Sequence, residues 1–479
     1  MELDPLILSR IQFAFVVSFH AIFPVFTIGL ASYIAVLEGL SFKTRNPVWM
    51  TLSSFWTKVF AVVFGMGVVS GIVMSFQFGT NWSNFAQASA NFLGPMLSYE
   101  VITAFFLEAA FLGVLLFGRD RVPAGVHLFA AVMVATGTFI SSFWILSANS
   151  WMHTPAGTEL RDGMFFVTSW SEAIFNPSFK YRFAHMVTAS FLTGGFVVAG
   201  VSAWYLLKGR EVEANRKALS MCLWLLLFLA PTQAVIGDFH GLNTLEHQPM
   251  KVAAMEGNWE TSPNVPLLLF AIPDKESQSN LFEIGIPGLA SLILTHDWNG
   301  KVPGLEEVSV EEQPPVAIVF WSFRVMVGLG LLMILFALTG LVLRAGDRFW
   351  RTRWFLQGMR FMSVTPFIAV LAGWFVTEIG RAPWLVYGMM TQAEAVTPSL
   401  TGGMALFTLV GYVVVYSLVF SAGVYYLMRV LYVGLEDDYD EEPDQAERPK
   451  RPLSASHVPF EVREGSKPNP ANPANQGDH

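Results

Sequence analysis

The sequence predicts an all-α membrane protein, a polytopic bundle of about nine transmembrane helices. Three observations lead to this fold class. Hydrophobic residues make up 53% of the 479 residues and charged residues only 14%, whereas a soluble domain carries about 25% charged residues. Apolar runs long enough to cross a bilayer recur along nearly the whole chain. The run after Arg10 is too long for a cleavable signal segment, so we expect the first helix to remain in the protein.

Nine apolar segments are the candidate spans. They cover residues 11–40, 53–78, 93–117, 124–147, 183–207, 218–236, 316–343, 364–380 and 403–432. The short loops after the odd-numbered segments hold thirteen Lys and Arg residues, whereas the loops at 79–92, 148–182 and 237–315, which are longer in total, hold six. Because basic loops stay in the cytoplasm, this asymmetry predicts an outer N-terminus and a cytoplasmic C-terminus.

Two regions outside these spans differ in composition. Residues 237–315 combine Pro, Gly and acidic residues with an apolar patch at Val265–Ile272, which predicts a folded and functional outer loop. Residues 436–479 are acidic and then rich in Pro and Asn, which predicts a disordered cytoplasmic tail. We therefore expect a membrane domain over residues 1–435 followed by this tail. The single cysteine, Cys222, excludes an intramolecular disulfide.

Several ionisable side chains fall within or at the ends of the predicted spans. A charge at the bilayer centre costs about 2.5–3.5 kcal/mol on insertion scales, so each needs water, a partner or a metal. These residues are His20, Glu100, Glu108, His185, Arg324, Glu378 and Arg381. Each also has an ordinary explanation, such as an interfacial histidine, a carboxylate beside a buried base, or an ion pair between Glu378 and Arg381.

Taken together, the residue types are those of a haem protein. His, Met and Glu on separate helices are of the types that ligate haem iron axially, and a His opposite a Met gives a six-coordinate, electron-transferring haem. Such cofactors lie in the cores of helix bundles. Arg324 and Arg381 are the cations available for haem propionates. Met326 is explained by this chemistry, although a lone Met in an apolar helix is ordinary core packing.

A different class of function also accommodates the buried carboxylates. In a proton-coupled transporter without haem, a relay would pass through His20, Glu100, Glu108 and Glu378. This alternative gives no role to His185 or Met326, so the residue set favours the haem protein.

Several separated stretches match one known family. They are Ser9 to Phe13 before His20, Phe105 to Leu107 between Glu100 and Glu108, Trp144 to Leu146, Phe183 to His185, Lys251 to Trp259, Phe323 to Met326 and Gly373 to Trp384. In this order, and on the predicted helices, they resemble the large haem-bearing subunit of the cytochrome bd-type quinol oxidases over nearly the whole chain. The resemblance implies an enzyme of the bacterial cytoplasmic membrane that oxidises quinol at the outer face and reduces oxygen to water with cytoplasmic protons, which generates a membrane potential.

The resemblance also implies cofactors and their ligands. Two haem b and one haem d are expected. His185 and Met326 correspond to the axial ligands of the low-spin haem b. His20 and Glu378 correspond to ligands of the two high-spin haems, and which of the two carries haem d stays open. The further residues expected to contact cofactors are Arg324, Arg381 and Trp384.

Proton and electron transfer residues follow from the same resemblance. Glu100 and Glu108 match carboxylates near the oxygen-reducing haems, and Glu108 with Ser141 is implicated in proton delivery. Trp374 matches a tryptophan set between haems for electron transfer.

The quinol site and the partners are also implied by the family. Lys251 and Glu256 match a pair in the quinol-binding loop, where we expect Glu256 to accept the quinol proton and Lys251 to be its electrostatic partner. The expected partners are a second membrane subunit of similar size, small accessory single-helix subunits, quinol and oxygen, with no nucleic acid. Ubiquinol and menaquinol are both candidate donors.

Two features depart from the usual family pattern. The motif Gly-Arg-Gln-Pro-Trp is replaced by Gly380-Arg381-Ala382-Pro383-Trp384, so that one amide donor and acceptor is lost. The outer loop lacks the insertion of some members and resembles the branch that includes the cyanide-insensitive oxidases.

Overall fold

The computed structural model describes residues 3–435. Within this range, nine helical stretches are long and apolar enough to cross a membrane, which confirms the predicted bundle. The elements that supply them are α1 (Pro5–Thr44), α2 (Pro47–Thr80), α4 (Ala90–Glu100) with α5 (Phe106–Phe117), α6 (Ala124–His153), α8 (Phe179–Lys208), α9 (Val212–His247), α12 (Val316–Ala345), α13 (Arg353–Met362) with α14 (Thr365–Ile379), and α16 (Gly402–Val433). The predicted tail, residues 436–479, lies outside the described residues.

Most of the helices extend beyond the apolar segments that predicted them, and a capping side chain marks the start of α1. At α1, Pro5 occupies the first turn and the Asp4 Oδ1 accepts a hydrogen bond from the Leu6 amide at 2.8 Å. The largest difference is at α9, which continues to His247. Residues 237–247, predicted to belong to the outer loop, are therefore helical.

The remaining elements are short and connect the long helices. They are α3 (Ser83–Ala88), α7 (Trp170–Ile174), α10 (Pro249–Glu256), α11 (Leu289–Thr295), α15 (Gln392–Ala395), β1 (Thr158–Arg161), β2 (Met164–Val167), β3 (Ser262–Pro263), β4 (Leu267–Asp274), β5 (Ser279–Ile286), β6 (Lys301–Val302), β7 (Trp384–Val386) and β8 (Met390–Thr391). The strands form four antiparallel pairs, β1–β2, β3–β6, β4–β5 and β7–β8. The segment between α9 and α12 is thus folded, as its apolar content predicts.

Helix packing brings the ends of several elements together. The main buried cluster draws on α1, α2, α6, α8, α9, α12 and α13, and includes the fully buried Trp56 and Phe60. At one end of this bundle, α14 packs on α8 and α12, while α10 packs on α9 and α12. The C-terminal end of α6 reaches the same place, because the Asn149 amide bonds to Glu378 on α14. This junction holds most of the predicted site.

Candidate functional site

Glu100 and Glu108 both face α6. The Ser141 Oγ donates to the Glu100 Oε1 at 2.7 Å, and a Cβ added at Gly137 would lie 2.5 Å from the Glu108 Cγ. In a regular α-helix, eight residues would turn the second carboxylate about 80° from the first. A π-helical turn at Val101–Phe105 accommodates an extra residue, so the spacing approaches two full turns. The two carboxylates therefore lie on one face, about two turns apart, and not on the adjacent faces that regular α-helical spacing predicts.

The two carboxylates differ in their partners. Glu108 is buried, and its Oε1 has no hydrogen-bond partner among the described residues. An unsatisfied buried polar atom costs about 1–3 kcal/mol, and such a position commonly takes a water or serves a chemical role. Ser141 was predicted to act with Glu108, but its hydrogen bond goes to Glu100. Ser141 and Glu100 are thus the hydrogen-bonded pair, and Glu108 lies against Gly137, one turn earlier on α6.

A third buried carboxylate, which the sequence did not single out, shows the contrasting case. Glu38 on α1 is bonded to the His127 Nδ1 at 3.0 Å, to the Arg119 Nη2 at 2.5 Å and to the Ser53 hydroxyl. The His127 Nε2 lies 3.1 Å from the Leu115 carbonyl oxygen. Both carboxylate oxygens of Glu38 are hydrogen-bonded. This cluster links α1, α2 and α6, which is a structural role.

His20 has the hydrogen bonding of a metal-binding histidine. The Ser70 hydroxyl donates to the Gly67 carbonyl at 2.8 Å, so it accepts from the His20 Nδ1, which lies 3.0 Å away. A proton on Nδ1 leaves the Nε2 lone pair for a metal, and a ligating histidine commonly donates its other ring nitrogen in this way. The ring lies against Gly71 of α2.

His185 on α8 is surrounded by one face of α9. The Gln233 Nε2 donates to the His185 carbonyl at 3.1 Å, Gly237 lies against the ring, and the His240 ring lies 5.3 Å from it between centroids. These three residues recur at helical spacing on α9. The His185 Nδ1 is buried without a partner among the described residues, so the imidazole has unused bonding capacity.

Met326 lies at the crossing of α12 and α14. A Cβ added at Gly373 would be 2.8 Å from the Met326 Sδ, closer than side chains tolerate. Only glycine at position 373 therefore leaves the thioether in place. Trp374 follows directly and is partly buried one turn before Glu378.

Glu378 has three polar partners at the end of α14. Its Oε1 accepts from the Asn149 Nδ2 at 2.8 Å and lies 3.4 Å from the His153 Nε2, and its Oε2 accepts from the Arg381 Nη2 at 2.5 Å. Arg381, which is predicted to serve haem propionates, forms an ion pair with Glu378 in the structure. The Arg381 Nε and Nη1 are nevertheless buried without partners among the described residues.

Lys251 belongs to the same cluster and not to Glu256. Its Nζ donates to the Gln248 Oε1 at 2.7 Å and contacts the His153 Nδ1 at 3.1 Å. Burial, followed by the charges of Arg182 and Arg381, holds the pKa of Lys251 well below its usual value, while Glu378 opposes this effect. The predicted electrostatic pairing of Lys251 with Glu256 is therefore absent.

Glu256 instead pairs with Arg324. The Arg324 Nη2 donates to the Glu256 Oε2 at 3.0 Å, Nε donates to the Leu268 carbonyl at 2.7 Å, and Nη1 donates to the Met255 carbonyl. Burial raises the pKa of Glu256, although Arg324 acts in the opposite direction. Arg324, which is predicted to be a propionate partner, therefore donates from all three nitrogens to acceptors within the protein.

The segment after α14 contains Trp384, a further predicted site residue. Trp384 opens β7, and its amide donates to the Arg381 carbonyl at 3.0 Å. Its ring centroid lies 6.5 Å from that of Tyr387. Ala382 is buried beside them, where the family's usual glutamine would bring a polar side chain.

Comparison with known proteins covers nearly all of this architecture. The model of the family described as cytochrome bd terminal oxidase subunit I matches residues 8–435. The chain belongs to that family. It is 36% identical to the cytochrome bd ubiquinol oxidase subunit 1 of Bacillus subtilis, with 91% of this chain and 95% of the relative covered. It is 32% identical to the cytochrome bd-II ubiquinol oxidase subunit 1 of Escherichia coli, with 92% and 99% covered.

A further relative and a solved structure agree. A putative cytochrome bd menaquinol oxidase subunit I of Bacillus subtilis is 31% identical, with 93% of this chain and all of the relative covered. The structure of the bd oxidase from Geobacillus thermodenitrificans superposes with a TM-score of 0.84 at 30% identity, covering 90% of this chain and 99% of that one. The chain is thus an integral membrane subunit of a terminal oxidase.

A haem-binding family requires places for haem carboxylates, and the junction at α14 provides them. Arg182, Lys251 and Arg381 are all buried, with Glu378 as the carboxylate among them. Buried donors without partners among the described residues remain on Arg182 (Nε), Arg381 (Nε and Nη1) and Gln248 (Nε2). A surplus of buried cations with unused N–H groups is unfavourable unless an anion is bound. The residues therefore fit haem propionates.

Sequence reasoning missed four members of this junction. They are Asn149, His153, Arg182 and Gln248. The fourth span was predicted to end at residue 147, so Asn149 and His153 were assigned to a loop, and Arg182 was counted only among the loop charges. The spacing of Asn149 and His153, one helical turn apart beyond an apolar run, could have shown that α6 continues.

Proposed function

We propose that this chain is the catalytic subunit of a quinol:oxygen oxidoreductase in the bacterial cytoplasmic membrane, with its N-terminus outside and its C-terminus in the cytoplasm. Quinol as the donor is supported by the ubiquinol and menaquinol oxidases among its relatives. The observation that carries the proposal is the buried cation cluster around Glu378, whose unused donors match an anionic cofactor.

The proposed cofactors are two haem b and one haem d. His185 and Met326 would hold the low-spin haem, and His20 and Glu378 would hold the two high-spin haems. When bound, these groups supply one-electron carriers and an iron centre for oxygen. Among the arginines, Arg182 joins Arg381 as a candidate for the propionates, because both retain buried N–H groups without partners among the described residues.

Quinol oxidation is assigned to the segment that includes α10. Glu256 would accept a quinol proton, which its raised pKa suits. Arg324 would hold the resulting carboxylate in place through the bond at 3.0 Å. Lys251 is reassigned from this pair to the Glu378 junction.

Proton uptake is assigned to the carboxylates along α6. Glu108 would receive cytoplasmic protons, and Glu100 with Ser141 would pass them towards the oxygen site. Release outside and uptake inside would store about 2.3 kcal/mol per proton charge for each 100 mV of potential.

The proposed complex contains a second membrane subunit, because the family is named for its first subunit. Small single-helix subunits are a further part of this proposal. Assays should therefore use the whole complex.

The test is quinol-driven oxygen uptake by membranes that carry the intact complex. Glu256→Gln should depress uptake with a short-chain quinol and spare uptake with an artificial reductant that bypasses the loop. Glu260→Gln, at an exposed carboxylate four residues later, is the matched control and should leave both rates unchanged. Absence of haem absorption and of quinol-driven uptake in the wild type would favour the transporter instead.

A further inference from the structure

A continuous row of polar side chains joins α10 to Glu378. The Lys251 Nζ donates to the Gln248 Oε1 at 2.7 Å and lies 3.1 Å from the His153 Nδ1. The other ring nitrogen of His153 lies 3.4 Å from the Glu378 Oε1. His153 is thus the contact between a helix assigned to quinol and a carboxylate assigned to haem iron.

The two ring nitrogens of His153 face different partners. Nδ1 lies towards the Lys251 Nζ, and Nε2 lies towards the Glu378 Oε1. Both the His153 side chain and the Lys251 side chain are buried, with exposed fractions of 0% and 3%. The imidazole therefore has a fixed orientation, and water does not compete for its two bonds.

The backbone leaves little room for independent movement. A Cβ added at Gly380 would lie 2.9 Å from the Lys251 Cγ, so the aliphatic part of Lys251 packs directly on the residue that follows α14. A displacement of α10 therefore moves groups that touch both His153 and the end of α14. Tight packing of this kind transmits small shifts between elements.

We propose that His153 is a positioning residue that couples the quinol-binding segment to the Glu378 carboxylate through Lys251. This inference rests on the proposed function, because it assumes quinol near α10 and iron at Glu378. Coupling between two sites is reciprocal, and typical values correspond to about fivefold or more in affinity. Occupation or alteration of the α10 side should then change the haem held by Glu378.

Two neighbours of His153 provide matched controls. Asn149 donates to the same Glu378 oxygen and is one turn earlier on α6, with no bond to Lys251. Gln248 bonds to Lys251 and has no bond to Glu378. Asn149 is bonded at the Glu378 end of the row and Gln248 at the Lys251 end, whereas substituting His153 removes the connection. A direct effect of Gln248 on a haem would persist when His153 is substituted.

The experiment is a double-substitution cycle on the purified complex, with absorption spectra of the high-spin haems and the KM for a short-chain quinol as readouts. Gln248→Leu should shift the high-spin bands and change the KM by about fivefold in the wild-type background. With His153→Leu present, Gln248→Leu should no longer shift the bands. With Asn149→Leu present, the shift caused by Gln248→Leu should persist.

Equal band shifts from Gln248→Leu with and without His153 would overturn the coupling, as would no shift in the wild-type background. If His153→Leu does not assemble, His153→Gln tests the same point, since its amide can both donate and accept and should preserve the effect of Gln248→Leu. Failure of the proposed function would look different, because the wild type itself would then lack haem bands or quinol-driven oxygen uptake.

Discussion

Two carboxylates contact α6, one at the middle of the helix and one at its C-terminal end, and their hydrogen bonding is opposite. In the middle of the helix, Glu108 lies against Gly137 with a buried oxygen that has no partner among the described residues. At the C-terminal end, Glu378 is bonded to Asn149 and Arg381 and contacts His153. The first arrangement leaves the group free to exchange a proton, and the second fixes its position among cations.

This difference fits the two proposed tasks, proton transfer at Glu108 and cofactor binding at Glu378. A group that moves protons needs unsatisfied bonding capacity, whereas a group that holds a cofactor needs fixed geometry and charge. Glu38 serves as a reference, because it is a buried carboxylate bonded on all sides by His127, Arg119 and Ser53. Burial alone therefore does not mark a functional carboxylate, and its partners must be considered.

The largest effect of a substitution is expected at Glu378, which lies against the C-terminal end of α6. Glu378→Ala removes the proposed iron ligand and leaves Arg182 and Arg381 without their carboxylate. We expect one high-spin haem to be lost from the purified complex, and with it nearly all oxygen uptake. The haem-to-protein ratio measures this directly, and a full complement of haem in the variant would contradict the assignment.

The next largest effect is expected at Glu108, which lies against the middle of α6. Glu108→Gln keeps the shape of the side chain and removes its ability to carry a proton. Oxygen uptake should fall roughly 100-fold, the lower end of what general acid–base groups contribute, while every haem band is retained. Oxygen uptake and the haem bands should be measured on the same preparation, since loss of haem would place Glu108 with the cofactor ligands.

A steric variant tests the low-spin site without changing any charge. Gly373→Ala would place a methyl group 2.8 Å from the Met326 Sδ and displace the thioether. We expect the low-spin haem spectrum to become partly high-spin, as it should completely in Met326→Leu. Gly330→Ala on α12 is the control, because a Cβ there has no atom within 4 Å. A low-spin spectrum retained in Met326→Leu would exclude Met326 as a ligand.

The smallest effect is expected at Ser141. Ser141→Ala removes one hydrogen bond to Glu100, and such a bond contributes about 1 kcal/mol. Oxygen uptake should therefore fall by only a few fold, with the haem bands unchanged. A loss as large as that of Glu108→Gln would show that Ser141 itself carries protons.

The fold was largely predictable, because lipid requires long apolar helices and their number can be counted along the chain. The helix ends were not, since capping and continued hydrogen bonding set them. Because the predicted end of α6 came too early, Asn149 and His153 were left out of the predicted helix. The orientation of Glu100 relative to Glu108 was missed for a related reason, because apolar periodicity does not indicate the π-helical turn at Val101–Phe105.

The types of the site residues were predictable, and their pairing was not. The family resemblance suggested that Lys251 belongs with Glu256, but in the structure Lys251 contacts His153 and Glu256 pairs with Arg324. These contacts join residues far apart in the sequence, so no local pattern contains them. Arg182 was overlooked because a basic residue near a helix start suggests a loop charge, whereas here it is buried.

A pyridine haemochrome spectrum of the purified complex, with extraction of the pigments, tests whether the cation cluster around Glu378 and the residues on α1, α8 and α12 hold iron porphyrins. We expect two haem b and one haem d for each copy of this chain. A complex that contains the intact chain and no haem would rule out this assignment.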